Sequence, residues 1–151
     1  METDRIRINK VAPESLKTRE RTLKVILDSN AFFVPLRFKI DILEDLKALL
    51  NRNFTPVLIP AVKLEIEKMA KTASPKVRKE AAYALKLAEK CSLIVVNEGE
   101  GSADDLVVKA AQELNAAVFT NDTKLRKRLR NINVPVIYLR QKSHLNIDGR
   151  F

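Results

Sequence analysis

Four carboxylates, Asp28, Glu65, Asp104 and Asp122, stand at the ends of apolar strands or on the inward stripe of a helix. An acid in such a place is costly unless it is paired or bound to a metal. Clustered acids also repel and raise one another's pKa, and a divalent cation reverses both effects by stabilising the charged forms. An all-oxygen ligand set suits Mg²⁺ or Mn²⁺. Such ions polarise a phosphoryl oxygen and lower the pKa of an attacking water. This chemistry needs no Ser–His or Cys–His pair, and the chain holds one His and one Cys. His144 is isolated in a polar stretch and is assigned no role. Cys91 precedes the apolar run Leu93 to Val96 and reads as a small core residue.

Each acid also has a plainer reading: Asp28, Asp104 and Asp122 stand where helix N-termini attract acids, and Glu65 is near enough to its helix start to reach solvent. Asp28, in Leu27-Asp28-Ser29-Asn30, is placed to cap a helix, and Asp122, after Thr120-Asn121, is placed to do the same. Glu65 shares a stripe with Val62, Ile66 and Met69, whereas Glu67 falls near Lys63 and Lys71 on the outer side and reads as solvated. Asp104 shares a stripe with Val107, Ala111 and Leu114. Asp105 lies outside that stripe, and with Ser102 it resembles a capping box, which gives it a structural role. Capping leaves unexplained why the acids coincide at one end of the sheet and why Glu65 faces inward.

Strands and helices alternate from residue 23 onward. The apolar runs Leu23 to Leu27, Pro56 to Ile59, Leu93 to Val96, Ala116 to Thr120 and Val134 to Leu139 read as five strands. Helical spacing covers residues 40–51, the segment opened by Pro60, 75–90, 102–114 and 122–131. The alternation predicts a three-layer α/β/α domain with a parallel sheet and right-handed crossovers. Sites in such folds lie at the carboxyl ends of the strands, where strand order reverses. The domain is expected over 23–140, after a basic extension at 1–22 with a short strand at Arg5 to Ile8. A polar tail is expected over 141–151.

The 28 Lys and Arg outnumber the 19 Asp and Glu among 151 residues, a net charge of +9 that favours polyanionic partners, nucleic acid first. Lys124, Arg126, Lys127, Arg128 and Arg130 crowd one short helix beside Asp122, with Leu125 and Leu129 to pack it down. They read as a phosphate-gripping ridge or as a solvated helix face. Arg37 and Lys39 join the ridge if the loop after the first strand folds over the same edge. With no Trp and two Tyr, backbone and shape recognition are expected to outweigh base stacking. One Cys excludes an internal disulfide framework, and three Gly leave little for a Gly-rich phosphate loop. The N-terminus shows no signal-peptide pattern and no apolar run approaches the ~20 residues of a membrane span. A cytoplasmic protein with no membrane partner is expected.

The ordered set Leu27-Asp28-Ser29-Asn30, Glu65, Ala103-Asp104-Asp105 and Thr120-Asn121-Asp122 resembles a PIN domain, over roughly Leu23 to Leu139. The resemblance implies a metal-dependent endoribonuclease with a five-stranded parallel sheet of order 3-2-1-4-5. It implies that Asp28, Glu65, Asp104 and Asp122 hold the metal, that Asn30 and Thr120 support the loops around them, and that cleavage leaves 5′-phosphate and 3′-hydroxyl ends. Ala103-Asp104-Asp105, the basic helix and the ending Val134 to Tyr138 look most like the ribosomal-RNA-processing branch, typified by the small-subunit processome nuclease. VapC-type toxins are the other large branch, and no Cys-rich ribbon follows as in the zinc-carrying one. Expected partners are RNA, ribosomal RNA among them, and a second copy of the chain if it forms a homodimer. A non-catalytic RNA-binding assembly module is the alternative from another class. A phosphoacceptor domain shares the doubly wound sheet, but it needs an Asp where the third strand here runs into Asn97-Glu98.

Overall fold

A computed structural model describes residues 22–72, 74–96 and 99–151. The extension at 1–22, with the strand expected at Arg5 to Ile8, lies outside the described residues except for Thr22. The elements in chain order are β1 (Leu23–Leu27), a 3₁₀ turn (Ser29–Phe33), α1 (Val34–Phe38), α2 (Ile42–Leu50), β2 (Phe54–Leu58), α3 (Pro60–Met69), α4 (Pro75–Ala88), β3 (Ser92–Leu93), α5 (Ala103–Leu114), β4 (Ala117–Phe119), α6 (Thr123–Asn131), β5 (Val136–Arg140) and β6 (His144–Asp148).

Local chemistry accounts for most boundaries. Pro60 and Pro75 sit in the first turns of α3 and α4, where a missing N–H costs nothing. Ser74 caps α4, and Ser102 with Asp105 forms the expected capping box at α5. Asn51 and Asn115 close α2 and α5 in left-handed conformation, which Asn tolerates better than most residues.

The sheet runs β3-β2-β1-β4-β5-β6. The first five strands are parallel, in the expected 3-2-1-4-5 order, and make the centre of the three-layer α/β/α fold. The strand order reverses between β1 and β4, so their carboxyl ends form the switch point. In register, Leu27 faces Phe119 and Phe119 faces Ile137, which sets Asp28 and Thr120 side by side just past the ends of the two central strands. Val25, Ile26 and Leu27 in β1 and all of β4 are buried, as continuous apolar strands covered on both faces should be.

Three segments differ from the sequence reading, and the first is the loop expected after the first strand, which is the 3₁₀ turn followed by α1. The third strand shortens to Ser92–Leu93, with one further bond from Ile94 N to Leu58 O. The segment read as a polar tail contributes β6, which pairs antiparallel with β5 and contacts α2. Its residues alternate, with Leu145 buried and His144 exposed. Cys91 is half-buried rather than fully enclosed, and burial pushes its thiol up to about 12, so it stays a protonated thiol.

Candidate active site

The switch point is tied together by a short polar chain. The Asp28 carboxylate accepts from Ser29 N at 2.8 Å, from the Thr120 hydroxyl at 2.8 Å and from Asn30 Nδ2 at 3.0 Å. Asn30 Nδ2 also reaches Thr120 Oγ1, and Asn30 Oδ1 accepts from Asn121 N at 2.9 Å. Thr120 Oγ1 accepts from Asp122 N, and Asn121 Oδ1 accepts from Leu139 N at 2.8 Å. These bonds join the ends of β1, β4 and β5, the three strands that meet at the site. Asn30 and Thr120 thus tie the loops at the ends of β1 and β4 together. Asn121 does the same and was not singled out; its only sequence signal is a turn residue between a strand and a basic helix.

The capping readings hold at both strand ends. Asp28 caps the 3₁₀ turn. Asp122 caps α6, with Oδ1 accepting from Lys124 N at 2.9 Å and Leu125 N at 3.1 Å. Each cap engages one carboxylate oxygen of Asp122's two, and Oδ2 has no hydrogen-bond partner among the described residues. Asp104 and Glu65 accept no hydrogen bond among the described residues.

Electrostatics joins the four acids. Burial raises the Asp28 carboxyl above its ordinary value; the Thr120 and Ser29 bonds pull it back, and the charges of Asp104 and Glu65 push it up again. Burial also raises Asp104, followed by the charges of Asp122 and Glu65, against the opposing pull of Arg128. Asp104 is thus the hub of the set: it is coupled to Asp28, Glu65 and Asp122, and Asp28 is coupled to Glu65 as well. Among the described residues, no three acidic, His or Cys side chains stand close enough to ligate one ion as placed. The donor set still fits a hard divalent cation: it is all carboxylate, Asp104 repels the other three acids, and no cation is bonded to any of the four among the described residues. Mg²⁺ in particular keeps several waters and takes one or two carboxylates plus substrate phosphate oxygens, rather than a full protein cage.

Glu65 and Glu67 are both half-buried, so Glu67 is less solvated than its helical position predicts. What separates them is company. Glu65 couples to Asp28 and Asp104, whereas Glu67 lines a groove with Lys63, Leu85 and Cys91.

The basic residues are more committed than the sequence suggests. Arg37 does not join the ridge as a free cation: its Nε and Nη2 bind the two oxygens of buried Glu80 at 2.8 and 3.1 Å, and its guanidinium lies over the Phe33 ring. Arg128 bridges α6 to Asp105 at 2.6 Å, which holds the Asp105 carboxyl below its usual range. Arg126 and Arg130 both reach Asp148 of β6. Among the described residues, Lys124 and Lys127 are the exposed cations of α6 without an ion pair. The sequence reading missed Asp148 as the anchor of this helix because β6 itself was missed.

Comparison with known proteins places this geometry. A family model described as a PIN like domain matches residues 25–142, which is most of the chain. The chain belongs to the PIN-like domain family. The PIN-like chain is 30% identical over 127 residues to Ribonuclease VapC4 of Methanocaldococcus jannaschii, covering 83% of this chain and 97% of that one. It is 28% identical over 149 residues to Ribonuclease VapC9 of Archaeoglobus fulgidus, covering 98% of each. The solved structure of the PIN domain endonuclease Utp24 superposes on the PIN-like domain with a TM-score of 0.71 at 25% identity, covering 84% of this chain and 92% of that chain. No helix among the described residues is long and apolar enough to cross a membrane.

Proposed function

We propose that this PIN-like protein is an endoribonuclease that hydrolyses RNA phosphodiesters with Mg²⁺ or Mn²⁺ held by Asp28, Glu65, Asp104 and Asp122. The single observation that carries the reading is the coupling of Asp104 to Asp28, Glu65 and Asp122 at the switch point of the sheet, where Asp28 is buried without a cation. The family match and the ribonuclease relatives support the same activity. When bound, the cation supplies a water acidified for attack and charge stabilisation at the phosphoryl oxygens.

The chain's own residues prepare the place. Thr120 and Asn30 fix the Asp28 carboxylate by donating to Oδ2. The capping bonds fix Asp122 through Oδ1 and leave Oδ2 toward solvent-borne partners. Asp104 and Glu65 keep both oxygens available among the described residues. Lys124 and Lys127 offer exposed ammonium groups to the RNA backbone next to Asp122.

Purified protein given single-stranded RNA and Mg²⁺ or Mn²⁺ is expected to cut internally and leave 5′-phosphate ends. Asp104→Asn is expected to abolish cutting while RNA binding holds or tightens. Full cleavage by Asp104→Asn, with Mn²⁺ binding unchanged, would refute the reading. Within this activity the finer reading is processing of ribosomal RNA in the cytoplasm, supported by the Ala103-Asp104-Asp105 resemblance and the likeness to Utp24. The similarity to VapC4 and VapC9 favours a second reading, a VapC-type toxin ribonuclease. Growth arrest on induced expression, relieved by Asp104→Asn, marks the toxin. Accumulated precursor ribosomal RNA on depletion marks the processing enzyme.

A further inference from the structure

A cavity of about 300 Å³ opens beside the acid cluster, between the start of α6 and the β5–β6 turn. Thr120, Asn121, Thr123, Arg126, Tyr138 and Arg140 line it, and no carboxylate does. That is notable so close to four acids. We infer that this cavity is a nucleotide subsite, which takes one unstacked nucleotide of single-stranded RNA with its base against the Arg126–Tyr138 stack and its phosphate on Arg140. The inference rests on the ribonuclease reading and adds to it a defined contact beyond the scissile phosphate.

Arg126 is held as a fixed planar cation. Its guanidinium carbon lies 3.7 Å from the centre of the Tyr138 ring. Its Nε and Nη2 bind Asp148 Oδ2 at 3.3 and 3.2 Å, and Nη1 has no partner among the described residues. A guanidinium plane pre-organised on an aromatic ring is a platform on which an unstacked base can lie. Arg126 N donates to Asp122 O, so the platform sits one helical turn from a site acid. A strand whose phosphate reaches the acids therefore carries its neighbouring nucleotide past the cavity.

The turn across the cavity is built at a cost. Gln141 and Lys142 both adopt left-handed backbone, with φ of 54° and 59°. The loop between the paired Arg140 and His144 is the three residues 141–143, and hairpin turns with two successive residues at positive φ ordinarily use Asn and Gly. Non-Gly residues in this region persist where the surroundings over-determine them, often at functional sites. Here the turn holds Arg140 and Lys142 exposed at its tip, and Arg140 has no ion pair among the described residues.

The test uses the full chain in EDTA, so that binding is read without cleavage. A fluorescent single-stranded RNA pentamer is titrated against wild type, Arg140→Ala and Arg126→Lys, with an abasic residue placed at each position in turn. Arg126→Lys keeps the charge and loses the plane. Arg140→Ala, at an exposed turn, is the variant least exposed to folding loss. Arg140→Ala is expected to weaken binding about tenfold. An abasic residue at one position is expected to weaken wild type by a similar factor and to have little further effect in Arg126→Lys. Unchanged affinity in Arg140→Ala overturns the subsite. So does abasic sensitivity that is absent in wild type or undiminished in Arg126→Lys. The same pentamer with Mg²⁺ reads the enzyme separately. Binding as expected without cleavage removes the nuclease reading and keeps the subsite, and cleavage with a flat abasic profile does the reverse.

Discussion

Glu80 and Asp28 are the two buried carboxylates among the described residues, and the fold treats them in opposite ways. Glu80, on α4, meets both nitrogens of the Arg37 fork, and that partner holds its carboxyl below the ordinary value. Asp28, at the end of β1, meets only neutral donors, and burial with neighbouring acids holds its carboxyl above it. The first is a closed ion pair that joins α4 to α1. The second is a buried acid without a cation, and Asp104 and Glu65 both act on it. The fold neutralises one buried carboxylate with its own cation and leaves the other with neutral donors alone, and the second is the kind of acid that the proposed metal site needs.

The comparison breaks most sharply at Arg37. Arg37→Ala strands Glu80 and is expected to cost about 3 kcal/mol, the low end for a broken buried pair because Arg37 is 45% exposed. Urea unfolding reads the loss, and Glu80→Gln in the Arg37→Ala background should recover much of it. A loss that Glu80→Gln does not recover means the Arg37 side chain acts by packing on Phe33 instead.

Asp28 predicts the reverse dependence on an added ion. Mn²⁺ at about a hundred times its dissociation constant should stabilise the wild type by about 2.7 kcal/mol and leave Asp28→Asn much less affected. Equal stabilisation of the two proteins in thermal melts places the ion elsewhere.

The two carboxylates also predict opposite pH slopes. The folded pKa of Asp28 is raised, so its contribution is present below about 3.8 and is lost as pH rises through the raised value. The folded pKa of Glu80 is lowered, so its contribution is present above about 4.5 and is lost as pH falls through the lowered value. Asp28→Asn gives up a bond from Asn30, so its absolute stability is a poor guide. Its stability relative to wild type in EDTA should nevertheless rise with pH above about 3.8. A difference that stays flat between pH 4 and 7 removes the claim that Asp28 is strained by its own charge.

The smallest effect separates cap from site at Asp122. Asp122→Ala removes two capping bonds and should lower stability by about 1 kcal/mol, or roughly 2–4 °C in Tm. Asp122→Asn retains an acceptor oxygen and should lose less than half of that. Both should lose cleavage, and an active Asp122→Asn reduces Asp122 to its capping role.

Much of this arrangement was legible before the fold was known. The five parallel strands show as short apolar runs, because strands buried on both faces need no polar alternation. The inward stripe of α3 singles out Glu65, and the Ser102–Asp105 box separates Asp105 from Asp104. What escaped was non-local. β6 does alternate polar and apolar residues, but its turn uses Gln141 and Lys142 and lacks the Asn-Gly signature that announces a hairpin. With β6 went Asp148, and with Asp148 the reason that Arg126 and Arg130 are ordered and not simply solvated. Arg37 escaped because its partner lies 43 positions away on another helix, where no local spacing rule reaches.

The bond from Thr120 to Asp28 spans 92 positions of chain. Contacts of that separation form late, after the cost of closing the intervening loop has been met. On the ribosome, Asp28 and Glu65 emerge well before α6 and β5 exist to complete their surroundings. A nascent chain halted between Glu65 and Asp104 therefore carries two of the four acids and none of the strand that locks Asp28 in place. An activity that drew on all four acids would stay silent until Asp122 and the start of α6 had been made.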